Sequence, residues 1–139
     1  MKTTFLILSA LLFFAKDKKG NIKELNCNNF KFGKFELINS EENLKYIIER
    51  NDEFQTETTY NLKNGKKIKD QKVLKIKWIN NCEYNLLLDT AKGTYDNTDL
   101  YINSIGGMNT KIIKIENNCF NVITTVEDIA FEARMCKIE

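Results

Sequence analysis

From Asn29 onward, apolar side chains recur mostly at every second position, and short stretches rich in Asn, Asp and Gly separate the apolar runs. This alternation is typical of β-strands with one buried face that are joined by tight turns. No segment of ten or more residues keeps an uninterrupted helical period, so the sequence predicts little helix. Nine strands are expected, at about 29–38, 43–50, 53–61, 72–79, 83–89, 99–105, 110–116, 119–126 and 129–138.

The register of neighbouring strands can be checked from the residue numbers. Inward residues that face each other across an antiparallel pair have position numbers with a constant sum. Four hairpins meet this condition, with turns at Arg50-Asn51-Asp52, Asn80-Asn81-Cys82, Asn117-Asn118 and Glu127-Asp128. The expected facing pairs are Leu44 with Thr58, Tyr46 with Thr56, Ile48 with Phe54, Leu74 with Leu88, Ile76 with Leu86, Trp78 with Tyr84, Ile115 with Phe120, Phe120 with Met135, Val122 with Ala133, Thr124 with Phe131 and Val126 with Ile129.

The short connections place sequence neighbours side by side, and an open sheet of nine strands would expose two long edges unless it curled. The sequence therefore predicts an all-β fold, an antiparallel up-and-down meander closed into a barrel or half-barrel of about eight or nine strands. Gly33 is expected to bend the first strand, because the apolar phase changes there from Phe30 and Phe32 to Phe35 and Leu37.

The first fifteen residues, MKTTFLILSALLFFA, have one basic residue and an apolar run, and the charged patch KDKK follows them. This layout is typical of a secretory signal peptide, and the apolar run is shorter than the roughly 20 residues that span a membrane. We therefore expect a signal peptide at 1–15, an N-terminal segment at 16–28 and a single β-meander domain at 29–139. The mature protein is expected in the periplasm or the medium, without stable membrane insertion.

Four cysteines in an exported domain predict two disulfides. In a meander of nine strands, Cys27 and Cys82 lie at one end of the barrel, whereas Cys119 and Cys136 lie at the other. The expected bridges are therefore Cys27 with Cys82 and Cys119 with Cys136, one at each end. A zinc site is not expected, because no two cysteines lie within four residues of each other and the chain has no histidine.

The absence of histidine removes the most common general base and every catalytic triad that depends on one. The carboxylate pairs Glu41-Glu42 and Glu127-Asp128 fall in predicted turns, where solvated charge is the usual state. Asp96 and Asp99 could bind calcium, but TYDNTDLY lacks the regular ligand spacing of a calcium loop, so a polar loop is expected. Gly106-Gly107 is expected to form a turn. These features favour a protein that is not an enzyme and has no cofactor or metal.

The formal net charge of +2 provides no strong field for nucleic acid, which is not an expected partner. The segment KNGKKIKDQK carries five lysines between residues 63 and 72 and could contact an anionic partner. Because Asn64-Gly65 is a strong turn signal, the favoured interpretation is a solvated hairpin loop.

The inward row of the predicted barrel mixes aromatic rings with hydroxyl groups and could line a cavity for a small apolar ligand. The possible lining residues are Tyr46, Phe54, Thr56, Tyr60, Ile76, Trp78, Tyr84 and Leu86, with Thr58 in the same row. The alternative is a filled core in a structural module that contacts an envelope protein through a strand edge or the lysine segment. A pocket of roughly 300 Å³ or more beside Trp78 would favour the ligand-binding hypothesis.

Three stretches, CNNFKFGKFEL, YIIERNDEFQTET and IKWINNCEYNLLL, resemble a group of short exported bacterial proteins with the patterns C-x-x-F-K-x-G-K-F, I-x-R-N-D-x-x-Q-x-E and W-x-x-x-C-x-Y-x-L. The resemblance covers about 60 residues and also implies that Cys27 and Cys82 pair. The group has no established activity. Some of its sequences carry a DNA topoisomerase IV label, which a chain of 139 residues with a signal peptide does not fit. More loosely, the meander is similar to lipocalin-like barrels, although the G-x-W signature is absent.

Overall fold

A computed structural model describes residues 25–139, so the expected signal peptide and residues 16–24 lie outside the described part. Eight antiparallel strands follow one another around a closed barrel, and β8 returns to pair with β1. The predicted up-and-down barrel is thus confirmed. The elements are a 3₁₀ turn at Asn28–Phe30, β1 Gly33–Asn39, β2 Leu44–Arg50, β3 Phe54–Asn61, β4 Lys67–Asn80, β5 Glu83–Gly93, α1 Asn97–Ser104, β6 Met108–Glu116, β7 Cys119–Val126 and β8 Ile129–Lys137.

Because successive strands alternate in direction, the connections fall at two ends of the barrel. The closed end holds segment 25–32 and the β2–β3, β4–β5 and β6–β7 connections. The open end holds the β1–β2, β3–β4 and β7–β8 turns together with α1. Among residues 25–139, no helix is both long enough and apolar enough to cross a membrane.

The predicted strand at 99–105 is wrong, because this segment forms α1. The Asp96 side chain accepts a hydrogen bond from the Asp99 backbone N–H at 2.9 Å, and the Asp99 side chain accepts one from the Asp96 backbone N–H at 3.0 Å. This reciprocal capping box satisfies two backbone donors and starts the helix at Asn97. The two aspartates suggested as a polar loop thus form a helix cap.

Both predicted disulfides are confirmed, Cys27 with Cys82 and Cys119 with Cys136. Their expected placement at opposite ends of the barrel is wrong, since both lie at the closed end. The replacement of one predicted strand by α1 changes the strand count from nine to eight and reverses the direction of every later strand. Cys119 therefore begins β7 at the closed end, where it faces Cys136.

Strand registers follow the prediction in three hairpins. The β7–β8 and β4–β5 pairs are confirmed, and so is Ile115 opposite Phe120 between β6 and β7. The turns at Asn117 and Glu127 have positive φ values of 55° and 51°, as such short connections require.

The predicted register between β2 and β3 is wrong. Arg50 faces Gln55 and Tyr46 faces Thr59, a shift of three residues. The cause is the Asn51 side chain, which accepts hydrogen bonds from the backbone N–H groups of Glu53 and Phe54 at 2.9 and 2.8 Å and closes a longer turn. An odd shift exchanges the two faces of a strand. The predicted inward residues Phe54, Thr56, Thr58 and Tyr60 consequently lie on the outer face.

A packed core fills the closed end. Phe30 projects from the 3₁₀ turn into the barrel, with its ring centroid 4.4 Å from that of Phe120, and Cys27 is fully buried beside them. Segment 25–32 thereby plugs the barrel, so the globular domain includes the last residues of the expected N-terminal segment. The change in apolar phase at Gly33 marks the start of β1 rather than a bend within it. Gly33 has φ +118°, and a Cβ there would lie 2.6 Å from the Glu139 carbonyl oxygen.

The lysine segment is mostly strand. β4 begins at Lys67, so the predicted solvated loop at 63–72 shrinks to the turn around Asn64-Gly65. Lys67 and Lys69 lie 3.7 Å from the carboxylates of Asp70 and Asp96, respectively.

Candidate functional site

The open half of the barrel is hollow. A cavity of about 420 Å³, called here the inner chamber, lies between the strands and beneath α1. Its wall is mostly apolar, with a strip of polar groups. The apolar part includes Leu37, Ile48, Leu86, Met108, Val122, Phe131, Ala133 and Met135, and the polar part includes Tyr46, Gln55, Glu57, Lys72, Tyr84, Asp99, Thr110 and Thr124.

Three of the eight predicted lining residues contribute to this wall, namely Tyr46, Tyr84 and Leu86. Ile76 is buried in the core, and the Trp78 ring packs at 4.7 Å from the Tyr84 ring. The hollow therefore lies next to Tyr84, whereas Trp78, which contacts the Tyr84 ring, does not line it. The other three, Phe54, Thr56 and Tyr60, are on the outer face because of the shifted β2–β3 register.

The floor of the inner chamber covers a buried cation. Arg50 is only 5% exposed, and its guanidinium donates hydrogen bonds to the Phe30 carbonyl oxygen at 2.9 Å, to Gln55 Oε1 at 2.7 Å and to the Tyr84 hydroxyl. It also lies over the rings of Phe35, Tyr84 and Phe120, with 4.5 to 5.8 Å to their centroids. Burial raises the pKa of Tyr84, and the charge of Arg50 offsets this only in part, so the hydroxyl stays protonated at neutral pH.

Gln55 connects this buried cation to a carboxylate in the chamber. Its Nε2 donates a hydrogen bond to Glu57 Oε1 at 2.7 Å, while its own oxygen accepts from Arg50. Gln55 is almost fully buried, whereas Glu57 is partly exposed on the chamber wall. Among residues 25–139, Glu57 makes no ion pair within 4 Å.

An ion pair holds α1 against β4 at the open end. Lys72 of β4 donates to Asp99 Oδ1 of α1, and both side chains are largely buried. Burial lowers the pKa of Lys72, but the hydrogen bond to Asp99 and the negative charge of Glu57 outweigh it, so the pKa is raised above its ordinary 10.5. Lys72 is consequently a firmly protonated partner of Asp99 at neutral pH.

A second cavity of about 420 Å³, called here the outer chamber, lies between the β3–β4 hairpin and the segment that leads into α1. The two chambers meet at Tyr46, Glu57, Lys72 and Asp99, which line both. The rest of the outer wall is Leu44, Thr59, Ile68, Lys69, Asp70, Thr94, Tyr95 and Asp96. The inner chamber thus has mostly apolar walls, and charged groups line the junction and the outer chamber.

Apart from Tyr46 and Tyr84, the polar residues of the inner chamber and its floor were not predicted from the sequence as ligand-lining residues. Arg50, Gln55 and Glu57 occur in ERNDEFQTE, and their shared inward direction depends on the β2–β3 register. The start of α1 did have a usable sequence signal, namely the aspartates at positions 96 and 99, because their three-residue spacing is that of a helix capping box.

Comparison with protein-family models, with curated protein sequences and with solved structures finds no match for this chain. The fold and the site define a small disulfide-bonded β-barrel that is packed at one end and hollow at the other.

Proposed function

We propose that this protein is an exported, non-enzymatic binding protein that holds a small ligand with an apolar body in the inner chamber. The observation that carries the proposal is the hollow of about 420 Å³. Ligand-binding cavities typically begin at roughly 300 Å³ and combine apolar walls with a few polar groups, as this one does. A cavity of this size weighs against a completely filled core.

The two cationic groups of the site support binding rather than catalysis. The guanidinium of Arg50 is sealed beneath the floor, and the ammonium of Lys72 is held by Asp99. Both cations are thus engaged by other groups of the protein rather than free in the chamber. The proposal includes no cofactor, and it includes no nucleic acid partner because the chain has a small formal net charge of +2.

Export is supported by the two disulfides, which fit an oxidising compartment, and by the signal-like N-terminus. Similarity to lipocalin-like barrels and to the group of short exported proteins stays a prediction.

Native mass spectrometry of the protein purified from its natural source tests the proposal. We expect a discrete mass above that of the oxidised chain, lost on unfolding, and saturable fluorescence enhancement of N-phenyl-1-naphthylamine once the ligand is removed. A chain that carries no extra mass and gives no saturable probe signal would refute ligand binding.

A second candidate function is contact with an envelope protein through the open end. Exposed apolar side chains surround this end, among them Ile38, Tyr101, Ile129 and Phe131, and Ile129 is 68% exposed. Replacement of Ile129 by serine should then weaken co-purification of that protein without changing probe binding. Loss of both, or of neither, would argue against this role.

A further inference from the structure

We propose that the ligand carries a protonated amine, which pairs with the carboxylate of Glu57 where the two chambers meet, while its apolar body occupies the inner chamber. This inference rests on the proposed function, because it names the ligand class for the same cavity.

The first argument is the accessibility of charge. Two charges are connected through Gln55, and only the negative one faces the hollow. Arg50 is 5% exposed, with its donors directed to Phe30, Gln55 and Tyr84, whereas Glu57 lines both chambers. A ligand in the cavity can therefore reach the carboxylate but not the guanidinium. In a partly desolvated site, such a carboxylate favours a cationic hydrogen-bond donor.

The second argument is preorganisation. The 2.7 Å hydrogen bond from Gln55 occupies Glu57 Oε1, and Gln55 is itself fixed by Arg50. The carboxylate is thus oriented before a ligand arrives, and its other oxygen is available as an acceptor. Preorganised polar groups bind more tightly because less side-chain entropy is lost on binding.

The third argument is the charge balance of the outer wall, which has four carboxylates and two ammonium groups. Lys72 is paired with Asp99, Lys69 lies 3.7 Å from Asp96, and Lys67 lies 3.7 Å from Asp70. Of the four carboxylates in the outer wall, Glu57 is the one to which residues 25–139 supply no ion-pair partner within 4 Å. A cationic group would complete the balance.

Aromatic rings add to the preference for a cation. Tyr46 lines the junction and Tyr95 the outer chamber, and protonated amines bind favourably at such rings. Burial, and then the charges of Glu42 and Glu57, raise the pKa of Tyr46, so its ring remains a neutral phenol at the site. The inner chamber beyond this point is walled by Leu86, Met108 and Val122. The structure therefore fits an amine with a single apolar body better than a polyamine.

Isothermal titration calorimetry of the full oxidised protein with three probes of equal chain length tests the inference. The probes are octylamine, octan-1-ol and octanoate, at neutral pH and low ionic strength. We expect octylamine to bind about tenfold more tightly than octan-1-ol, and octanoate to bind most weakly, since one charge-assisted hydrogen bond contributes a factor of that order.

Substitution of the carboxylate provides the decisive comparison. Glu57→Gln keeps an oxygen for Gln55 and removes the charge, so the preference for octylamine over octan-1-ol should disappear while octan-1-ol binding is kept. The matched control Asp128→Asn removes a charge from a turn at the same end, outside the cavity walls, and should change neither affinity.

The outcomes separate the two proposals. If all three probes bind equally, or if octanoate binds best, the amine inference is wrong and ligand binding stands. If no probe binds, ligand binding itself fails. Should Glu57→Gln not fold, a wild-type preference for octylamine over octan-1-ol that does not weaken as salt is added contradicts the inference on its own, because an ionic contact at a partly exposed carboxylate is screened by salt.

Discussion

Arg50 is a buried guanidinium at the packed end of the barrel. Removal of a guanidinium from water is costly unless its donors and its charge find partners. Here a backbone carbonyl, an amide and a phenol accept its hydrogen bonds, and three aromatic rings face its charge. The residue therefore ties the plug at the closed end to the floor of the inner chamber.

Replacement of Arg50 by methionine should lower the free energy of unfolding by about 2–4 kcal/mol, because buried acceptors on Gln55 and Tyr84 lose their donors. Urea denaturation with the disulfides intact measures the change. The control is Arg134→Met, which removes an exposed guanidinium that bonds Glu116 and should have no measurable effect. Equal losses in both variants would show that Arg50 has no special structural role.

Whether facing residues could be predicted from the sequence depended on the turn between their strands. The β7–β8 pairs were predictable because Glu127-Asp128 is a simple two-residue turn. The β2–β3 pairs were not, because the side-chain hydrogen bonds of Asn51 lengthen that turn and no hydrophobic pattern reports them. As a result, Tyr60 was expected inside the barrel, and the inward direction of Glu57 was missed.

Among the elements, α1 depends most on specific polar contacts, since none of its residues is fully buried. Lys72 binds Asp99, the Leu88 backbone N–H donates to Asn103 Oδ1 at 2.9 Å, and the Tyr101 hydroxyl donates to Glu127 at 2.8 Å. These contacts hold the helix over the chambers without burying an apolar face. Polar contacts of this kind explain why apolar periodicity did not reveal the helix.

The ion pair of Lys72 should make α1 sensitive to alkaline pH. The pKa of Lys72 is higher in the folded state than its ordinary 10.5, so the stabilisation is complete below pH 10.5 and is lost as pH rises through the folded-state value. We expect the melting temperature of wild type to exceed that of Lys72→Met at pH 8 and the difference to shrink above pH 10.5. A difference that stays constant or grows with pH would contradict this assignment.

The exit from α1 should tolerate substitution at Gly106 far better than at Gly107. Both have positive φ, so alanine at either position costs roughly 1–2 kcal/mol from backbone strain. A Cβ at Gly106 meets nothing within 4 Å, whereas a Cβ at Gly107 would overlap the Leu86 carbonyl oxygen. Thermal unfolding should therefore show a clearly larger loss for Gly107→Ala, and equal losses would contradict the close approach of β6 to β5.

At the scale of the whole molecule, covalent constraint and packing are concentrated at the same end. Both disulfides, the 3₁₀ turn and the cluster of Phe30, Phe35 and Phe120 lie at the closed end, while hydrogen bonds and an ion pair hold α1 at the open end. Such a barrel is cross-linked and packed at the closed end and has an accessible cavity at the open end. The number of strands determines at which end of the barrel each cysteine lies. The sequence therefore predicted both disulfides but not that they share one end.

Removal of the two disulfides should lower the free energy of unfolding by unequal amounts. Cys27 and Cys82 are separated by 55 residues and Cys119 and Cys136 by 17, so loop closure alone predicts losses of about 4 and about 3 kcal/mol, respectively. The first loss should be larger still, because the bridge also anchors the plug that carries Phe30. Urea denaturation of the two double-serine variants checks the order, and a greater loss for Cys119 and Cys136 would contradict the role of the plug.

The hollow at the open end can be tested most directly through Ala133, which faces the inner chamber from β8, against Ala130 on the outer face of the same strand. The measurement is the free energy of unfolding of Ala133→Phe compared with Ala130→Phe. Because a hollow accepts the added ring, we predict that Ala133→Phe is at least as stable as the control. A loss of about 1–3 kcal/mol in Ala133→Phe alone, as overpacking of a filled core produces, would contradict the account.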